Sequence, residues 1–163
     1  IVNGDIKHEF GIISEQEWRD VLGIIDAVHP EVEIIFVKGN HDIALGPIAR
    51  KREVQVVPYY AVDNITIIHG DKIIPELTDI LIIGHEHPAL SFPERKDEKF
   101  KCFLKGKWKD HTLLVMPSFN PLTAGTDVRS GTFLSPFLAG DLHHFSVWVV
   151  EDKVYYFGKI EDI

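Results

Sequence analysis

A chain of 163 residues, 45% of them hydrophobic, suits one domain with a core of its own. A net charge of −8 argues against a broad, sequence-independent grip on nucleic acid, which needs a basic face. No run approaches the ~20 apolar residues of a membrane span, and a single cysteine, Cys102, excludes a disulfide framework within the chain and points to a reducing, cytoplasmic compartment.

Ile1-Val2 reads as the end of a buried strand running into Asn3-Gly4-Asp5. Ser14, with Glu17 three residues on, forms the capping-box signature of a helix start. Trp18, Val21, Leu22, Ile25 and Val28 then recur at helical spacing until Pro30 stops them. Glu33 to Lys38 reads as a strand, and Pro47 to Arg52 as a weakly marked helical turn. Val54 to Val57, Tyr59 to Val62, Ile65 to Ile68 and Ile80 to Ile83 read as short strands, with Asp63-Asn64 as a hairpin turn. Phe100 to Leu104 and Trp108 to Val115 are expected to pair around a turn at Lys105-Gly106-Lys107. Pro117 to Ser135 reads as a loop. Phe145 to Val150 pairs with Val154 to Lys159 around Glu151-Asp152-Lys153. Strand–helix alternation early and hairpins late predict layered α/β architecture with two sheets.

Four segments share one design: an apolar run that stops at glycine plus metal-competent side chains. They are Asn3-Gly4-Asp5 with His8, Lys38-Gly39-Asn40-His41-Asp42, His69-Gly70-Asp71, and Gly84-His85-Glu86-His87. In open α/β sheets ligands bind outside the carboxyl ends of strands. Glycine there lets the backbone turn sharply and come close to an ion. Carboxylate, amide oxygen and imidazoles together suit manganese, iron or zinc better than calcium or magnesium. Singly, each motif has a plain reading as a turn or a cap. Their combination and order carry the signal.

Gly-Asp-x-x-His, Gly-Asn-His-Asp, His-Gly and Gly-His-x-His, in that order, resemble the signature motifs of the calcineurin-like metallophosphoesterases. Asn3 to Gly11 and Pro117-Ser118-Phe119-Asn120-Pro121-Leu122 are similar to archaeal phosphoesterases related to the repair nuclease SbcD. The resemblance implies a four-layer α/β/β/α sandwich of two mixed sheets, formed by one domain over residues 1–163 and lacking its first β-α unit. It implies Asp5 as a carboxylate bridging two divalent metal ions. Asn40, His69 and His85 would be further ligands of one ion and His87 a ligand of the other. Manganese leads, with iron, zinc, nickel and magnesium as alternatives. His41 would contact the phosphate and protonate the leaving oxygen, and His8 would lie near the scissile phosphate.

The implied activity is hydrolysis of a phosphate ester by a metal-bound hydroxide, most naturally as a phosphodiesterase, with nucleic acid among the candidate substrates. The alternatives are a small-molecule or cyclic-nucleotide phosphoesterase, and a metal-binding interaction module without catalysis. The family's first motif, Asp-x-His, has no counterpart upstream of Asp5. The chain therefore reads as N-terminally incomplete, with impaired activity expected of the fragment. A truncated sheet edge makes a homodimer an expectation as well.

Other residues carry plainer readings. Asp42 is expected to brace its loop, Glu86 to point to solvent, and His29 to be structural. Cys102 reads as a small semi-buried apolar residue rather than a nucleophile. Ser118 and Asn120 are expected to hydrogen-bond within their loop. The lysine-rich stretch Glu94 to Asp110 reads as a solvated sheet face, the alternative being a small nucleic-acid contact.

Overall fold

A computed structural model describes residues 1–6, 14–42, 45–92, 94–130 and 132–163. The architecture is mixed α/β with two sheets. The chain divides into two compact units, residues 1–60 with 67–69, and residues 61–66 with 70–163.

The first unit holds a three-stranded parallel sheet: β1 (Val2–Asn3), β2 (Ile35–Val37) and β3 (Gln55–Val57), in that order. Two helices connect the strands, α1 (Glu15–Val28) and α2 (Leu45–Arg50). The capping box forms as its sequence predicts: Ser14 Oγ accepts from the Glu17 backbone, and Glu17 accepts from the Ser14 backbone. Val21 and Ile25 bury against Phe36, Leu45, Ile48 and Val54, with Trp18 and Leu22 partly buried beside them. Val28 falls off this face and is 40% exposed. Helix α2 starts two residues before Pro47, which therefore sits in the first turn, where its missing N–H costs no helical bond.

The second unit is built on a mixed sheet. Its strand order is β10-β7-β8-β9-β6-β5-β4, with β11 paired to β8 and β12 to β11. The strands are β4 (Tyr60–Val62), β5 (Ile65–Ile67), β6 (Ile80–Ile83), β7 (Pro88–Phe92), β8 (Arg95–Trp108), β9 (His111–Val115), β10 (Thr126–Asp127), β11 (Ser146–Val150) and β12 (Val154–Lys159). The 14-residue β8 is the hub. Its first half pairs with β7, and its second half pairs with β9 on one side and β11 on the other. Leu81, Ile83, Cys102, Leu104, Leu113, Val115 and Val147 are fully buried along it.

Two expectations are corrected here, and one strand that had no reading is added. The turn predicted at Lys105-Gly106-Lys107 is strand, and the hairpin closes at Lys109-Asp110, where Trp108 faces His111. Gly106 serves a close approach instead, because a Cβ there would run into the Phe145 ring. Pro88 to Phe92, which has no alternation to mark it, is strand β7, four of whose five residues are buried. The loop from Pro117 to Ser135 contains β10, which adds in parallel to β7.

Cys102 is fully buried, and burial, then the Asp127 carboxylate, pushes its thiol up to about 12. Thiolate is the reactive form. The native protein is expected to resist a thiol-specific chromogenic reagent at neutral pH and to react with one equivalent once unfolded in urea. No helix among the described residues is long and apolar enough to cross a membrane.

Candidate metal centre

Parallel pairing of β1 with β2 sets Asn3 beside Val37. The two strands therefore release Gly4-Asp5 and Lys38-Gly39-Asn40-His41-Asp42 from the same edge of the sheet. Residues 67–69 bring His69 into this unit, and the Asn3 side-chain amide donates to the Ile68 carbonyl at 3.1 Å.

Asp42 organises the corner, as its sequence context predicts. It is 1% exposed, and one carboxylate oxygen accepts from the Asp5 backbone N–H at 2.8 Å and from the Gly39 N–H at 2.9 Å. Asp5 is thereby held at φ 50°, in left-handed backbone that a non-glycine residue seldom adopts. Close packing completes the arrangement. A Cβ on Gly39 would collide with the backbone nitrogen and carboxylate of Asp5, and one on Gly4, at φ 73°, would collide with the His69 ring.

The Asp5 carboxylate is thus aimed. Its Oδ1 accepts from the His41 backbone N–H at 3.0 Å, and its Oδ2 lies 3.2 Å from His69 Nε2. The same ring nitrogen lies 3.0 Å from Asn40 Oδ1. Burial alone would raise the Asp5 carboxyl. The His69 hydrogen bond, the His41 N–H and the two imidazoles outweigh it and hold the group below its ordinary range. The side chain therefore stays anionic at neutral pH.

Those distances test the fit of a metal ion. One imidazole nitrogen faces a carboxylate oxygen and an amide oxygen together, and one N–H cannot serve both well. A cation would use all three as donors, and carboxylate, amide oxygen and imidazole form an accepted donor set for a divalent transition metal. Asp and His side chains here can hold a metal ion.

In the second unit β6 and β9 run parallel, with Ile83 beside Val115 and the Met116 N–H on the Ile83 carbonyl at 2.8 Å. Beyond Ile83 the chain turns through Gly84-His85-Glu86-His87. His85 and His87 are half-buried, and His87 has φ 51°. Glu86 contradicts its expected solvent orientation. It is 4% exposed, and one of its oxygens accepts the N–H groups of Leu134 (2.7 Å) and Ser135 (2.9 Å). Nothing local marks this role, because its partners lie nearly fifty residues away.

Of the predicted site residues, Asp5, Asn40, His41 and His69 come together in the first unit; His85 and His87 belong to the second, just beyond the end of β6. His8 lies outside the described residues.

The crystal structure of Pseudomonas putida nuclease MPE is similar to this chain, with a TM-score of 0.66 and 19% identity over 94% of this chain and 67% of that one. At that identity the likeness establishes the fold. No protein-family model matches the sequence, and no curated protein matches it.

Proposed function

We propose that this chain is a metal-dependent phosphoesterase of the calcineurin-like kind, resembling the phosphoesterases related to SbcD and acting on phosphodiesters, nucleic acid among them. The observation that carries the reading is the convergence of Asp5 Oδ2 and Asn40 Oδ1 on a single His69 ring nitrogen, at 3.2 and 3.0 Å. The motif order in the sequence extends the proposed ligand set to His85 and His87. A structural neighbour that is a nuclease supports the choice of substrate class.

Two divalent ions in such a set, manganese first, would supply Lewis acidity and lower the pKa of a bound water. The chain's own residues do the rest. Asp5 is held anionic and fixed by the backbone of His41. Asn40 and His69 add an amide oxygen and an imidazole nitrogen beside that carboxylate. His41 presents an imidazole beside that carboxylate and is the proton donor to the leaving oxygen. His8 is assigned to the same phosphate by its place in the motif.

Calorimetric titration with manganese, paired with hydrolysis of a small chromogenic phosphodiester, tests this reading. Asn40→Ala is expected to lose metal affinity at least roughly ten-fold, the scale at which even supporting residues act. His41→Ala should keep the metal and lose about 10²–10⁴-fold in kcat. Undiminished turnover in Asn40→Ala would remove the ligand assignment. Equal turnover in His41→Ala would remove the acid.

A further inference from the structure

The loop after β9 is fastened at both of its ends, to the last residue of β6 and to the Gly84–His87 corner that follows it. It leaves the sheet where the Met116 N–H bonds the Ile83 carbonyl at 2.8 Å, and it returns where the Thr126 N–H bonds the His87 carbonyl at 3.0 Å. Gly125 makes the return possible. Its φ is 81°, and a Cβ there would strike the His87 carbonyl oxygen.

Strand β8 braces the span between. The Lys101 ammonium donates to the carbonyls of Ser118 (2.7 Å) and Asn120, and the Lys99 ammonium to that of Gly125 (2.8 Å). The loop also ties itself internally. Asn120 N–H donates to Ser118 Oγ at 3.1 Å, and Leu122 N–H to Asn120 Oδ1 at 2.9 Å.

On this braced backbone stand the two most exposed large apolar side chains of the described residues, Phe119 at 103% and Leu122 at 91%. A third, Leu134 at 81%, has its backbone clamped by Glu86 of the same corner. Scattered exposed hydrophobics need no explanation. These three differ, because the loop that displays Phe119 and Leu122 is tied at its ends to Ile83 and His87 and braced by Lys101, and the backbone of Leu134 is held by Glu86. A phenylalanine displayed on an ordered loop loses nothing further on ordering when a flat partner arrives.

We infer that Phe119 is a stacking platform for a nucleobase flanking the scissile phosphate of a single-stranded nucleic-acid substrate, with Leu122 beside it. Three features favour that occupant over an apolar protein surface. The platform springs from the carboxyl end of β9, beside the strand end that bears His85 and His87, where α/β sheets take ligands. The two lysines that brace it bring positive charge to the loop itself, which suits a polyanion, and Lys105 and Lys107 continue that charge along β8 as exposed residues. The ring is fully open on a chain whose net charge is −8, so affinity for nucleic acid has to come from local stacking rather than from a basic face. The inference rests on the phosphodiesterase reading above for the role of the phosphate, but not for the stack.

Fluorescence anisotropy with a labelled single-stranded oligonucleotide, and with the same oligonucleotide made abasic throughout, reads the stack without any turnover. Phe119→Ala is expected to weaken binding of the base-bearing strand roughly ten-fold, within the range of one base–aromatic contact. It should leave the abasic strand unchanged, and Phe119→Trp should restore the loss. Equal binding of the base-bearing strand by the native chain and Phe119→Ala overturns the inference, as does an equal loss on both strands.

Manganese-loaded cleavage assays separate the two readings. With base-bearing substrate, Phe119→Ala should raise KM and keep kcat within about two-fold. If no protein cleaves either strand while the base-dependent binding difference persists, the hydrolytic reading fails and the stacking surface stands. Light scattering supplies the remaining arm. A native chain that self-associates and becomes monomeric in Phe119→Ala, with oligonucleotide binding unchanged, identifies the patch as a protein interface and overturns the inference.

Discussion

Asp42→Ala is expected to cost about 3–5 kcal/mol of unfolding free energy and to abolish measurable manganese binding. The carboxylate is 1% exposed and serves two backbone donors, Asp5 N–H at 2.8 Å and Gly39 N–H at 2.9 Å. Alanine removes both acceptor bonds and leaves two N–H groups in a corner that water reaches poorly. Each orphaned donor costs about 1–3 kcal/mol, and bonds to a charged acceptor sit at the upper end. The functional part of the loss follows from geometry. Asp5 occupies left-handed backbone at φ 50°, a conformation that survives only where its surroundings impose it. Without the bond to its N–H, Asp5 relaxes, and its carboxylate leaves both the His41 N–H and the His69 ring. Asp42→Asn is the control. It keeps one acceptor oxygen for both donors and is expected to retain more than half of the lost stability. Urea denaturation gives the first number and calorimetric manganese titration the second. An Asp42→Ala protein that binds metal as the native chain does would show that the Asp5 corner holds itself.

What the sequence revealed of this corner was local. Glycine followed by Asn, His and Asp interrupts a β-branched run, and the break itself marks a strand end. Ser14 and Glu17 announce the start of α1 in the same way, because a cap and its box lie within three residues. The alternating character of the chain likewise pointed to two sheets in an α/β fold. The features that escaped reading are those decided at a distance. Strand β7 is buried on nearly every residue and so shows no alternation. Strand β10 is two residues long and exists only because β7 offers it a parallel edge. Glu86 looks like any exposed glutamate beside two histidines until Leu134 and Ser135 bring their N–H groups to it. The lysines of β8 were read as a solvated face, yet Lys99 and Lys101 spend their ammonium groups on the carbonyls of a loop about twenty residues downstream.

Gly106→Asn separates the local reading from the non-local one most sharply, and its expected cost is about 3 kcal/mol or more. Lys-Gly-Lys between two apolar runs has the look of a hairpin turn, and a turn that needs left-handed backbone accepts asparagine almost as readily as glycine. By that reading the substitution is nearly neutral. In the folded chain Gly106 instead lies inside β8, opposite Leu113 of β9, and a Cβ there would overlap three ring atoms of Phe145. Phe145 is 3% exposed and immediately precedes β11, the strand that pairs with β8 through Leu104 and Val147. Because the ring is buried, either it leaves its rotamer or β11 shifts against β8. Overpacking of this kind costs about 1–3 kcal/mol for added methylenes. An asparagine also presses a polar amide toward the buried Phe145 ring, and desolvating it adds about 1–3 kcal/mol. A thermal or urea midpoint for Gly106→Asn equal to that of the native chain would return the turn to Lys105–Lys107. Rescue of Gly106→Ala by the compensating Phe145→Leu would instead confirm that the glycine exists to make room for the ring.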